Sequence, residues 1–243
     1  MNLYQQKLIL PAYWEWKILI IAIDGPSGSG KSTTARLLAQ YLDITHLDTG
    51  AMYRVITWGL KKENIDINDI SSVNSFLEKT NISYKNANEI MLNGKLVSSE
   101  IRKKDITSSV SAVSALLEVR EFLVNIQRKI GNEIDCVIEG RDIGSVVFPN
   151  ADFKFFLTAD LNIRSMRRKI ELKKLGEDLS IDEIKASMRR RDRIDSSREF
   201  SPLKRSEDSI EIDSTDLTID EQIEKIIKII KKNKEGTSKH VWK

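Results

Sequence analysis

The stretch Gly25-Pro26-Ser27-Gly28-Ser29-Gly30-Lys31-Ser32 constrains the fold more than any other part of this 243-residue chain. It fits the spacing G-x-x-x-x-G-K-[ST], and its surroundings fit as well. Ile18 to Ile23 is an unbroken apolar run, rich in β-branched residues, as expected of a strand buried on both faces. From Lys31 to Tyr41, and on to Leu42, the residues Ala35, Leu38, Ala39 and Leu42 recur at helical spacing. Strand, glycine loop and helix in that order make a phosphate cradle. Main-chain N–H groups turn inward around polyphosphate oxygens where a side chain would block the approach, and the helix adds the positive end of its dipole. Lys31 is placed to reach the β- and γ-phosphates, and the Ser32 hydroxyl to ligate Mg2+. The expected ATP-binding residues are therefore Gly25, Pro26, Ser27, Gly28, Ser29, Gly30, Lys31, Ser32 and Thr33.

Beyond the loop, short apolar runs at Ile44 to Leu47, Cys136 to Ile138, Phe153 to Leu157 and, more weakly, Ile210 to Ile212 are separated by helical patterns. Those patterns cover Gly50 to Lys61, Ile106 to Ile130, Leu161 to Leu175, Ile181 to Arg193 and Ile219 to Ile230. Strands alternating with helices imply an α/β fold with a parallel sheet. From about Asn64 the texture changes: Ile82 to Tyr84, Ile90 to Leu92 and Leu96-Val97 are strand-like, with Asn93-Gly94 a strong hairpin turn. They predict a small antiparallel insert. Residues 1–17, with Trp14 and Trp16, form an extension of no assignable role, and residues 231–243 a frayed tail.

Composition narrows the setting. A charged share of 31% with 40% apolar residues fits a folded chain, and the single cysteine, Cys136, excludes an internal disulfide and a cysteine-based zinc site. A reducing, cytoplasmic setting is expected, with no membrane span and no signal segment. The Asn-Lys-x-Asp string with which GTPase switches read guanine is absent, which leaves kinases of small molecules. Such a kinase needs a second anion site for a phosphorylated acceptor, and arginine suits it through its planar, bidentate fork. Arg54, Arg141, Arg191 and Arg198 stand in distinctive settings for that work.

Leu47-Asp48-Thr49-Gly50-Ala51-Met52-Tyr53-Arg54, Glu139-Gly140-Arg141-Asp142-Ile143-Gly144-Ser145-Val146-Val147-Phe148-Pro149, and Arg191-Asp192 with Asp195, Arg198 and Ser201-Pro202-Leu203 together resemble the bacterial cytidylate kinase family, from about Ile18 to about Ile230. The resemblance implies a five-stranded parallel sheet of the P-loop NTPase type flanked by helices. It divides the kinase domain of residues 18–230 into a core (18–62 and 102–230), a monophosphate-binding insert of about 63–101 and a short basic lid of about 164–200. It also implies that Ser111, Arg120 and Asp142 contact the cytosine edge, that Arg191 and Asp195 hold the ribose, and that Arg54, Arg141 and Arg198 meet the acceptor phosphate. Thr49 and Tyr53 would line the same pocket, with Glu139 and Gly140 beside them. Glu139 stands where many relatives carry aspartate.

The chemistry is coherent on its own terms. A carboxylate at Asp142 accepts from the exocyclic amine of cytosine, whereas uracil would set two acceptors face to face. CMP and dCMP are the expected acceptors, ATP with Mg2+ the donor, and Lys31, Arg141 and Arg198 the catalytic residues, with Arg167 and Arg168 as lid residues on the transferred phosphate. A monomer without nucleic-acid or membrane partners is expected. The alternatives are a kinase for UMP or another monophosphate, and a nucleic-acid-binding protein using the basic stretch from Arg164 to Arg205.

Overall fold

The computed structural model describes residues 18–86, 89–174 and 176–238. The extension of residues 1–17 with its two tryptophans, Leu175 and the last part of the tail, 239–243, lie outside the described residues. The β-branched run forms β1 (Ile20–Asp24), followed by the glycine loop and α1 (Lys31–Leu42). Then come β2 (Thr45–Asp48) and α2 (Thr49–Lys62). Later in the chain lie β6 (Cys136–Gly140), β7 (Phe153–Thr158) and β8 (Ile210–Asp213). These strands form a five-stranded sheet in the order β2-β6-β1-β7-β8, with every neighbouring pair parallel. β1 is central, which is why its sequence alternates nothing: Ile21 and Ile23 pack on one face with Leu38, Val137 and Phe155, while Ala22 packs on the other with Leu47, Met52 and Ile138. Each fully buried isoleucine contributes about 1.5–3 kcal/mol relative to exposure.

The register brings the chemistry to one edge. Asp24 is paired with Gly140 and Asp48 with Glu139, so the C-terminal ends of β1, β2 and β6 lie level. In open parallel sheets that edge, where strand order reverses, is where ligands bind.

Between β2 and β6 in the chain comes a second, three-stranded antiparallel sheet of β3 (Ile82–Asn86), β4 (Glu89–Leu92) and β5 (Lys95–Leu96). Its β4–β5 turn has Asn93 at φ 50° and Gly94 at φ 77°, the paired positive angles that a two-residue hairpin turn requires. Preceding it is α3 (Ile70–Glu78), a helix the sequence reading missed. Asp69 caps α3 by accepting from Ser72 N, and only Val73, Phe76 and Leu77 are buried, too brief a stripe to stand out from the polar residues around it.

Some boundaries also differ. The helical pattern of 106–130 is two helices, α4 (Lys104–Val113) and α5 (Leu117–Gly131). The break follows from Ser114, whose Oγ donates back to Ser111 O at 3.0 Å while its own carbonyl accepts from Arg120, so the chain turns there. A π-helical turn at Ile143–Val147 follows β6. The basic helices are α6 (Leu161–Lys174) and α7 (Ile181–Ser197), the latter opened by a capping box between Ser180 and Glu183. The final helix, α8 (Ile219–Ser238), continues past Ile230 rather than fraying from residue 231.

Candidate active site

The glycine loop opens the cleft. Gly25 has φ 147°, and a Cβ there would lie 2.1 Å from the Leu157 carbonyl oxygen, so this turn between β1 and α1, packed against β7, admits no side chain. α1 starts at Lys31, whose Nζ donates to Pro26 O at 2.6 Å. Burial, reinforced by the nearby Arg141 cation, lowers the Lys31 pKa well below its ordinary value, against the attraction of Glu139 and Asp24. Ser32 Oγ donates to Glu139 Oε2 at 2.6 Å, and Glu139 Oε1 lies 3.1 Å from His46 Nε2.

The opposite wall is built from α2, α4, α5, α7 and the segment after β6. Asp48 caps α2, accepting from Ala51 N at 2.8 Å and from Arg54 Nη2 at 3.0 Å. Burial would raise Asp48, but Arg54 and the Ala51 N–H outweigh it and hold the carboxyl below its usual range. Thr49 Oγ1 donates to Glu139 O at 2.6 Å, fixing α2 to β6. Arg141 Nε donates to Asp195 Oδ2 at 2.9 Å. Burial opposes the charge of both partners, yet their attraction prevails, raising Arg141 and lowering Asp195. Arg120 and Asp142 form a buried ion pair, with Arg120 Nη1 also donating to Ser114 O at 3.2 Å and the guanidinium 5.6 Å from the Tyr53 ring centre. Burial pushes the Tyr53 hydroxyl up to about 12.

Several cations here are held at a disadvantage. Burial and the neighbouring Arg141 bring Arg191 down to about 10, and burial with Arg120 lowers Arg198. Among the described residues, Arg54 Nε, Arg120 Nε, Arg191 Nε and Arg198 Nη2 are buried without a hydrogen-bond partner. Each such donor costs about 1–3 kcal/mol. Donors like these, converging on one cleft of about 1000 Å³ with the glycine loop at its far end, are what an anionic ligand satisfies.

That cleft is lined by Ser27, Gly28, Gly30, Lys31, Ser32 and Thr33 on one side. Thr49, Tyr53, Arg54, Arg120, Glu139, Gly140, Arg141, Asp142, Arg191, Asp195 and Arg198 line it on the other. Arg167 and Arg168 lie at its edge: Arg167 donates to Ser214 Oγ at 3.1 Å and Ser214 O at 2.7 Å, and Arg168 pairs with Glu171 at 2.8 Å. Gly25, Pro26 and Ser29 form the underside of the loop, where Ser29 Oγ donates to the Pro26 carbonyl. Ser111 is buried in α4 one turn from Ser114, and it is Ser114 that reaches the cleft wall.

Sequence reasoning assigned no role to three carboxylates that organise the site. Asp24 accepts from Ile143 N at 2.8 Å and Gly144 N at 2.7 Å, and burial pushes it up to about 6 despite those donors. Asp48 was legible as a polar residue just before a helix. Asp192 accepts from Arg164 Nη1 at 2.6 Å and from Ser27 N at 3.3 Å, the latter a contact spanning 165 positions that no local pattern signals.

Ser32 Oγ and the Glu139 carboxylate beside it are hard oxygen donors of the kind Mg2+ takes. Among the described residues no group of three or more His, Cys, Asp or Glu could hold a metal ion.

A family model described as cytidylate kinase matches residues 21–232. The chain is 47% identical over 211 residues to the cytidylate kinase of Alkaliphilus oremlandii (strain OhILAs), covering 87% of this chain and 97% of that one. To the cytidylate kinase of Caldanaerobacter subterraneus subsp. tengcongensis it is 48% identical over 216 residues, with coverage of 89% and 96%. To that of Clostridioides difficile (strain 630) it is 44% identical over 209 residues, with coverage of 86% and 96%.

Proposed function

The chain belongs to the cytidylate kinase family, and from that premise we propose that it transfers the γ-phosphate of ATP to CMP and dCMP, giving CDP or dCDP and ADP. The observation that carries this reading is the facing of a glycine loop and a wall of underused guanidinium donors across one cleft.

In this reading the loop from Gly25 to Thr33 wraps the triphosphate, with Lys31 on the β- and γ-phosphates. Ser32, with Glu139 behind it, would hold Mg2+, which would supply positive charge to offset that of the phosphates. Arg54, Arg141 and Arg198 grip the acceptor phosphate, and Arg191 and Asp195 the sugar. Asp142, fixed by Arg120, faces the exocyclic amine of cytosine. The acceptor phosphate is already ionised at neutral pH, so these residues position two anions and stabilise spreading charge rather than remove a proton. Arg167 and Arg168 approach the transferred group from α6, the edge of a closing lid formed by residues of about 164–200. The three-stranded sheet and its flanks, about 63–101, act as the monophosphate-binding insert. Among the described residues no helix is long and apolar enough to cross a membrane, and Cys136 is buried and unpaired. These fit a cytoplasmic enzyme, and we take it to act as a monomer.

The test is a panel of CMP, dCMP, UMP and AMP with Mg-ATP, for the wild type and Asp142→Asn. CMP and dCMP are expected to lead, and the variant is expected to lose about a hundredfold of its preference for CMP over UMP. A wild-type preference for UMP would overturn the assignment.

A further inference from the structure

Glu139 is held from three sides. Its carbonyl accepts from Thr49 Oγ1 at 2.6 Å, its Oε2 accepts from Ser32 Oγ at 2.6 Å, and its Oε1 lies 3.1 Å from His46 Nε2. A carboxylate only accepts, so the imidazole N–H is the donor. The side chains of both residues are largely buried, 12% exposed for His46 and 5% for Glu139. His46 sits in β2 beside β6, with His46 paired to Val137 and Asp48 to Glu139, so this contact is set by the sheet register.

We propose that His46 is a positioning residue: it holds the Glu139 carboxylate in the rotamer that receives the Ser32 hydroxyl, and through it sets how tightly the divalent cation is held with the nucleotide. A glutamate side chain has three rotatable bonds, and one contact at each carboxylate oxygen removes most of that freedom. A Ser32 hydroxyl whose O–H donates a hydrogen bond to Glu139 keeps its lone pairs directed away from that carboxylate, where a cation would meet them. Residues behind a metal's ligands commonly govern its affinity in this way. The inference rests on the reading of Ser32 and Glu139 as the cation's protein side.

Calorimetric titration of ADP, in excess Mg2+ and again in chelator, reads the proposal without turnover. The proteins compared are the wild type, Glu139→Gln, His46→Phe and His46→Gln. His46→Phe keeps a ring of similar size and lacks the N–H, whereas His46→Gln returns an N–H donor. In His46→Phe and Glu139→Gln the gain in ADP affinity on adding Mg2+ is expected to fall by about tenfold, with metal-free affinity within about twofold of wild type. His46→Gln is expected to recover most of the gain. If Glu139→Gln loses the gain and His46→Phe keeps it, the role of His46 is wrong while the cation site stands. If His46→Phe loses it and His46→Gln recovers none, the ring acts by packing and the inference falls. If Glu139→Gln itself keeps the full gain, the reading of the cation site falls, and the inference with it.

Discussion

The glycine loop and the arginine wall facing it both suit anions, and they are made in opposite ways. The loop is one short stretch whose working groups are main-chain amides; its only long side chain in the cleft, Lys31, is tucked against Pro26 O at 2.6 Å. The wall is drawn from five separate elements, and its working groups are side chains, either paired with a carboxylate, as Arg141 with Asp195, or left with a bare donor, as Arg191. One half is therefore spoiled by adding atoms and the other by removing them.

The largest effect should come from removal. Arg141→Ala is expected to lower kcat/KM for CMP by about a thousandfold, with Arg141→Lys recovering little, because an ammonium cannot reproduce the fork. Steady-state kinetics at fixed Mg-ATP checks this, and full rescue by lysine would mean the wall acts as bulk charge. Next comes addition. Gly25→Ala sets a methyl against the Leu157 carbonyl and is expected to destabilise the fold by about 3 kcal/mol, read by denaturant unfolding. A near-neutral result would show that the loop tolerates what its geometry forbids.

Asp24 joins the two halves, and its effect is smaller still. Its carboxyl lies at the end of the loop's strand and holds the N–H groups of Ile143 and Gly144 just past Asp142. Burial raises it from 3.8 to about 6, so the folded state binds its proton more tightly than the unfolded chain does. Its contribution is thus fully present below about pH 4 and lost as pH rises through about 6. Relative to Asp24→Asn, the wild type is expected to lose about 2 to 3 kcal/mol of unfolding free energy between pH 4 and 7. A difference that stays flat across that window would remove the burial effect.

The same contrast explains what could be read from the chain alone. The loop, β1 and α1 are contiguous, and periodicity with glycine spacing specifies them almost completely. The hairpin at Asn93-Gly94 was legible for the same reason, since its turn angles belong to those two residues. The wall is not contiguous. That Arg141, Arg191 and Arg198 share a cleft followed only from resemblance, and their carboxylate partners depend on strand register and on how α7 crosses the loop. The turn at Ser114 escaped notice because an apolar stripe continues on both sides of it, and α3 because its buried face is a single turn wide.

Arg164 and Asp192 rivet the roots of the two basic helices to the rim of the glycine loop: Arg164 Nη1 donates to Ser27 O at 3.0 Å, and Asp192 accepts from Ser27 N. A flap needs a slack joint, and these roots are not slack. Farther out, at Gly176, φ is 80° and an added Cβ would meet nothing within 4 Å. Swinging α7 outward as a whole would strip an acceptor from the Ser27 amide, so displacement of that helix is mechanically geared to the main chain of the glycine loop.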